Sequence, residues 1–369
     1  MEFLDLKTQQ KRIRKPLEKR INKILDHGAY IMGPEVFELE EKLADYCGVK
    51  HAISCSSGTD ALLIPLMAWG IGPGDAVFTT PFTYVATAEV ISILGATPIF
   101  VDVYESTYNI DCDKLEIEIN KVIEEGKLKP KAIIPVDLFG LPARYRLIDE
   151  IAKKYNLKVI EDAAQSFGGS IRDKKVGVFG DIAATSFYPA KPLGCYGDGG
   201  AIFTNDDDLA EECKAIRIHG TKKDKYNSEM IGLNGRLDSI QAAVLLEKLS
   251  IFDDELEMRN EVNSYYRKHL NNAQYHPDKY ESAHALFSIT LGSESKRDKL
   301  INRLNHVKIP NVIYYKFPIH LMEGFRYLGY KKKDLPISET LSTNIVSLPM
   351  HPYLKFKDID FILSNIKNK

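Results

Sequence analysis

The chain has 369 residues, with 49 Lys+Arg against 51 Asp+Glu, a formal net charge of −2, 44% hydrophobic and 27% charged residues. That balance is ordinary for a globular protein of one or two domains, and it supplies no global field for nucleic acid or an anionic membrane. Five cysteines occur without a CxxC pair and nine histidines without an HExxH, so neither a disulfide framework nor a metal site is expected.

The start, MEFLDLKTQQKR, carries no apolar secretory core, and the apolar stretch over 90–101 is broken by Ser92, Gly95 and Pro98. A cytoplasmic protein with no membrane partner is expected. Residues 8–27 predict a charged helix with Ile13, Leu17, Ile21, Ile24 and Leu25 on one face. A second amphipathic helix over 36–46 follows Gly33-Pro34. A regular alternation then sets in. Strands are expected over 51–55, 76–79, 97–101, 131–136, 158–160, 182–187 and 201–203, and helices over 61–69, 84–94 and 145–155. Such alternation predicts an α/β fold, a mostly parallel sheet covered on both faces. Ligands in these sheets bind beyond the carboxyl ends of the strands. From 237 to 266 the pattern is one long helical spine. Short strands (285–291, 312–315) and helices (295–304, 356–365) after it predict a smaller C-terminal α+β domain, 251–369, beside a large domain, 1–250. The Lys331-Lys332-Lys333 run is a solvated loop.

Three strand ends carry chemistry. Lys191 lies between two short strands on a turn rich in glycine (Gly194, Gly197, Gly199, Gly200). It is either an incidental hairpin lysine or a desolvated amine nucleophile. Ser56-Ser57-Gly58-Thr59-Asp60 is either a plain helix cap or an anion cradle. Asp162 closes the strand KVIED, where a buried carboxylate needs a cationic partner or a cap to satisfy. Together with Ser186, these pieces fit pyridoxal 5′-phosphate, which needs an anion site, an amine for its aldehyde and an aspartate for its ring nitrogen. No GxxxxGK[ST] and no GxGxxG after the first strand supports another nucleotide cofactor.

The strings GPEVFELE, SSGTDAL, GPGDAVFTTPFTYVATAEV, VIEDAAQSFG, SFYPAKPLGCYGDGGAIFTND, GLNGRLDSIQAA and SLPMHPYL resemble the DegT/DnrJ/EryC1/StrS family over nearly the whole length. These are nucleotide-sugar aminotransferases of the aspartate-aminotransferase fold, fold type I of the pyridoxal phosphate enzymes. The resemblance implies that Lys191 holds the cofactor as a Schiff base and then shuttles the substrate proton. It implies that Asp162 pairs with the ring nitrogen, Gln165 bonds the ring's phenolic oxygen, and Gly58, Thr59 and Ser186 hold the phosphate. Tyr84 would stack on the ring. Asn234 and Arg236 would reach across a homodimer interface, to phosphate and substrate, so that two subunits build each site. Relatives that dehydrate sugars carry histidine at the Schiff-base position. Lysine here implies transamination in a ping-pong cycle, with L-glutamate loading the amine and a nucleotide-linked keto sugar accepting it.

Within the family, KPLGCYGDGG resembles members that aminate C3 ketones, and most of all those acting on UDP-2-acetamido-3-oxo-glucuronate for surface polysaccharide. The alternatives are C4 amination of a UDP-linked 4-keto-6-deoxy sugar, or a non-catalytic regulator. One departure stands out. Relatives commonly read HYPxPLH where this chain reads YYKFPIH, so Tyr314 replaces a histidine and Lys316 a proline. Tyr314, Tyr315 and His320 are expected at the sugar, and His219 is expected to pack or to support neighbouring groups rather than to transfer a proton.

Overall fold

The strands of the main sheet are buried almost throughout, because helices cover both of its faces. The structure, a computed structural model, describes residues 1–224 and 226–367. Two helices, α1 (Leu6–His27) and α2 (Pro34–Cys47), precede the alternation β1 (His51–Cys55), α3 (Gly58–Ala68), β2 (Asp75–Thr79), α4 (Ala86–Ile93) and β3 (Thr97–Phe100). Next come α5 (Cys112–Glu125), β4 (Lys129–Ile134), α6 (Tyr145–Tyr155), β5 (Lys158–Asp162), the two-residue strands β6 (Ser170–Ile171) and β7 (Lys174–Lys175), β8 (Ile182–Ser186), β9 (Gly200–Thr204) and α7 (Asp207–Arg217). The remainder is α8 (Ser239–Leu249), α9 (Phe252–Arg267), β10 (Tyr280–Glu281), β11 (Phe287–Thr290), α10 (Glu294–His306), α11 (Pro336–Asn344), β12 (Ile345–Leu348) and α12 (Phe356–Lys367).

The main sheet has seven strands in the order β1-β9-β8-β5-β4-β2-β3. From β8 to β3 every pairing is parallel, and β9 runs antiparallel to both its neighbours, so the expected mostly parallel α/β sheet is present. Ile53, Val77, Ile134, Ile160, Ala184 and Ile202 face one side, where α3, α4 and α7 pack. Ala52, Ala183 and Phe203 face the other side, under α1, α2 and α8, and Phe78, Ile133 and Val159 continue that side under α5 and α6. Successive strand residues thus serve opposite layers, as a pleat requires. A separate core joins α9, β11, α10, β12 and α12 through Val262, Tyr266, Phe287, Leu304, Leu348 and Ile359.

Several elements differ from the sequence reading. The expected spine over 237–266 is two helices, because Ile251 leaves the helical region at φ −116°, ψ 7° and Asp253, Asp254 and Glu255 then favour a new N-terminus. The expected strand over 312–315 reduces to a single bridge, Val312 to Ser347, and Ile345–Leu348 pairs with β11 in its place. Helices α5 and α7 were not foreseen, although each opens on an aspartate cap. Asp111 accepts from the amides of Asp113 (3.0 Å) and Lys114 (3.3 Å), and Asp206 from those of Asp208 and Leu209 (both 3.0 Å).

Candidate active site

The sheet's carboxyl edge gathers the chemistry. After Ser186 the chain leaves β8 in a loop pinned at its neck, where Phe187 N donates to Gly199 O (2.7 Å) and Cys195 N donates to Phe187 O (2.7 Å). Gly194 passes so close to its own loop that a Cβ there would lie 2.6 Å from Tyr188 O. Helix α8 holds the far side of the loop. Gln241 Oε1 accepts from Tyr196 N (2.9 Å), and the buried Lys248 donates to Gly194 O. Lys191 N donates to Tyr188 O (2.9 Å), which fixes where its side chain departs. Burial lowers the pKa of the Lys191 amine to about 8, against the attraction of Asp162, which raises it. A substantial neutral fraction near physiological pH is what an amine nucleophile requires.

Asp162, 3% exposed, ends β5 facing that amine. Its oxygens accept from Thr87 Oγ1 (2.8 Å) and from Ala164 N (3.2 Å). Burial still raises its pKa, and the two hydrogen bonds and Lys191 offset this only in part. A carboxylate in that position gains from a further cationic neighbour. Gln165 is fixed at both ends of its amide. Its Oε1 accepts from Phe139 N (2.8 Å), and its Nε2 donates to the Tyr315 hydroxyl (2.8 Å). The Tyr315 ring meets Phe82 edge-on at 6.1 Å, so the C-terminal half reaches the strand ends through an aromatic contact as well.

The anion cradle has the right shape. Helix α3 opens at Gly58 with Ser57 as cap, its hydroxyl accepting from Asp60 N (3.1 Å). The first-turn amides are those a helix leaves without internal partners. Across from them lies Ser186, and a Cβ on Gly58 would stand 2.6 Å from Ser186 Cβ. Only glycine lets the helix start approach the strand end this closely. Ser56 N donates to Gly235 O (3.0 Å), which brings the 234–236 segment beside the same loop. Asn234 is exposed and accepts from Arg236 (2.6 Å), whose Nε is buried without a partner. Amine, carboxylate and cradle therefore fit a phosphorylated pyridine aldehyde.

The remaining candidates are placed unevenly. Tyr84 stands 60% exposed just before α4, its carbonyl accepting from Thr87 N (3.3 Å). Tyr314 lies between the Tyr315 ring (5.6 Å) and the Phe3 ring (6.5 Å), and close enough to Tyr188 for their hydroxyls to interact. His320 does not join this group. It is 1% exposed, packed by Phe100 and Tyr330, with Nε2 on Glu339 (3.2 Å) and its pKa lowered by burial. His219 is exposed at positive φ (63°), so it does not pack into the core. Sequence reasoning passed over Thr87, Phe139, Asp137, Glu161 and Lys248. A signal existed for Glu161 and Thr87, which sit one residue and three residues from singled-out positions. Lys248 fell within the expected helical spine, and only tertiary packing buries it.

Among the described residues no helix is long and apolar enough to cross a membrane, and no group of His, Cys, Asp or Glu could hold a metal ion. A UDP-2-acetamido-2-deoxy-3-oxo-D-glucuronate aminotransferase of Pseudomonas aeruginosa is 44% identical over 100% of both chains. Among solved structures, a DegT DnrJ EryC1 StrS aminotransferase from Brucella abortus is 49% identical, with a TM-score of 0.96 over 100% of this chain and 98% of that one. DesV of S. venezuelae, solved in complex with a ketimine intermediate, is 33% identical, with a TM-score of 0.93 over 100% of this chain and 99% of its own. The profile of the DegT/DnrJ/EryC1/StrS aminotransferase family matches residues 11–367, and the chain belongs to that family.

Proposed function

We propose that this enzyme moves the amino group of L-glutamate to the C3 keto group of a UDP-linked 2-acetamido-3-oxo uronic sugar, in the cytoplasm, as a homodimer with shared sites. The reaction class comes with the family: the chain is a pyridoxal phosphate-dependent aminotransferase of nucleotide-linked keto sugars. What supports the sugar is the full-length likeness to the Pseudomonas enzyme together with the string KPLGCYGDGG after Lys191. The observation that carries the chemistry is the pair of half-buried Lys191 and buried Asp162, an amine with a lowered pKa facing a carboxylate with a raised one.

Pyridoxal 5′-phosphate, when bound, supplies an aldehyde to carry the amine and a ring that takes up electrons from the substrate carbon. The chain's residues do the rest. Gly58, Thr59 and Ser186 hold the phosphate at the α3 N-terminus, where amides and helix dipole favour anions. Asp162, kept ionised by Thr87 and Ala164, holds a proton on the ring nitrogen. Gln165, whose Oε1 accepts from Phe139 N and whose Nε2 donates to the Tyr315 hydroxyl, would offer its second Nε2 hydrogen to the ring's phenolic oxygen. Tyr84 covers the ring. Lys191 would carry the cofactor at rest and, once released, would move a proton through its Nζ between the substrate carbon that bears the nitrogen and the cofactor's aldehyde carbon.

We assign Asn234 and Arg236 to the partner's site, Asn234 to phosphate and Arg236 to substrate. Tyr314 and Tyr315 line the sugar. The domain division is set at 1–250 and 251–369. The test is a panel of UDP-, dTDP- and GDP-linked amino sugars run in reverse with 2-oxoglutarate. Discharge of the amine by the UDP-linked 3-amino uronic sugar alone supports the proposal. Discharge only by 4-amino sugars, or no borohydride-trapped adduct at Lys191, overturns it.

A further inference from the structure

Behind Asp162, on the opposite face of β5, two carboxyls lie together with no water access. Asp137 and Glu161 are both 0% exposed. Asp137 follows β4, and its backbone N donates to Asp162 O (3.1 Å), so it is tied to the residue that faces Lys191. The Asp137 side chain is richly supplied. Its Oδ1 accepts from Ala143 N (2.8 Å) and the Tyr145 hydroxyl (2.8 Å), and its Oδ2 from the Ser166 hydroxyl (2.8 Å). Glu161 is supplied on one side only. Its Oε2 accepts from Gly177 N (3.0 Å) and Phe179 N (3.0 Å), while its Oε1 is buried with no donor. The two side chains are within hydrogen-bonding reach of each other.

Two carboxylates in contact inside a protein repel strongly unless one is protonated or a cation intervenes. The titratable groups facing the pair are Tyr145 from α6, Asp162 from β5, Cys47 from α2 and Tyr280 from β10. None of these is a cation; Lys175 of β7, which also acts on Cys47, has its Nζ over the Tyr46 ring at 3.4 Å. Tyr145 is itself locked against Phe179, the rings stacked at 4.7 Å, so it stays a donor.

We infer that Glu161 is a protonated carboxylic acid in the folded enzyme and donates from Oε1 to the Asp137 carboxylate. The asymmetry of donors decides which partner carries the proton: Asp137 has three donors to satisfy its charge and Glu161 Oε1 has none. Burial is also the largest cause raising the affinity of both groups for protons, and Asp137 raises that of Glu161 further. Glu161 and Asp137 are therefore positioning residues. Through Ser166 and through the Asp137 backbone N, the pair holds the segment that carries Asp162 and Gln165. It also limits the local charge. A second negative charge beneath Asp162 would drive Asp162 toward protonation and weaken its hold on a ring nitrogen. That last consequence rests on the proposed cofactor reading, whereas the protonation itself does not.

The experiment is difference infrared spectroscopy of the purified full chain at neutral pH, wild type minus Glu161→Gln. Glutamine is the same shape as the protonated acid, can accept from Gly177 N and Phe179 N, and can donate to Asp137. A protonated-carboxyl C=O band present in wild type and absent in the variant, with secondary structure unchanged, is the expected result. Refolding of wild type should also take up about one more proton than refolding of the variant, read from the pH slope of stability. Equal proton uptake, a spectrum with no band in the difference, or an E161Q chain that cannot fold would each overturn the inference. These readouts do not depend on Lys191 or on bound cofactor, so they fail separately from the aminotransferase reading.

Discussion

Replacing Thr87 with valine removes one hydroxyl of little volume and tests the electrostatics of the whole site. Thr87 is 2% exposed, and its Oγ1 donates to Asp162 Oδ2 at 2.8 Å. The ionised carboxylate keeps Ala164 N as its other donor, at 3.2 Å. A hydrogen bond to a charged group is worth about 1.5–3 kcal/mol, and each 1.36 kcal/mol is about one pKa unit or a factor of ten in binding. The pKa of Asp162 is already raised, burial being the main cause and the Thr87 bond the largest opposing one, so the variant raises it further. A neutral Asp162 cannot hold a protonated ring nitrogen. Pyridoxal 5′-phosphate should therefore bind T87V about ten- to a hundredfold more weakly. The loss should be largest at low pH and shrink as pH rises, because alkali ionises Asp162 again. Thr87→Ser keeps the hydroxyl and should bind as wild type. Fluorescence titration of the cofactor-free protein across a pH series reads this directly. Unchanged affinity at every pH, or a loss that does not vary with pH, would refute the reasoning.

Four further outcomes are expected. Lys191→Ala should lose the visible cofactor band and the borohydride-trapped adduct while its melting temperature without cofactor stays near wild type. In the cofactor-free protein, the Lys191 amine should react with small aldehydes at a rate that rises with pH, is half-maximal near about pH 8 and levels off well above it, where the neutral form is complete. Arg217, 4% exposed, donates to Glu40 and to Ser54 O (2.8 Å) and joins α7 to α2 and β1; Arg217→Ala should lose about 3–5 kcal/mol in urea unfolding by stranding Glu40. Asp102 caps α11, accepting from Ile337 N (3.0 Å) and Ser338 N (2.9 Å), and its pKa is lowered by Ser338, Ile337 and Lys114 against burial. The stabilisation is thus present above the ordinary carboxyl range and fades as pH falls through the lowered value, so Asp102→Ala should be destabilised by about 1–2 kcal/mol at neutral pH and by less in strong acid.

The catalytic edge was legible because strand ends are chemically sparse places. A lysine, an aspartate and a run of small residues have few ordinary reasons to stand there, and the alternation of elements already placed all three on one edge. The break between α8 and α9 was not legible, because apolar spacing continues across Ser250 and only the acidic first turn of α9 marks a new start. Helix α11 and strand β12 were missed for a related reason: Pro336–Leu348 is short, and its order depends on the Asp102 cap and on pairing with β11, both remote in sequence. His320 shows the limit of carrying a motif position forward. Its place in the string was right for a sugar ligand, but Glu339 and Phe100 enclose it, and neither is near it in the sequence.

The same logic separates what Lys191 needs from what it touches. Its amine is made reactive by burial, and its charged form is recovered by Asp162, so the two groups form a couple whose balance depends on every charge around Asp162. Thr87 and Ala164 lower the cost of ionising Asp162 from the front. Glu161 and Asp137 act from behind, and they help only if they present one charge and not two. A site with Asp162 ionised and Lys191 partly neutral at the same pH is therefore a property of five side chains and one backbone amide. Substitutions at Thr87 and Glu161 should move the pH at which cofactor binds in predictable directions: T87V toward alkali, and E161Q not at all. A shift of the E161Q binding profile comparable to that of T87V would mean that Glu161 carries charge in the native protein, and the couple would then have to be balanced by a cation other than Lys191.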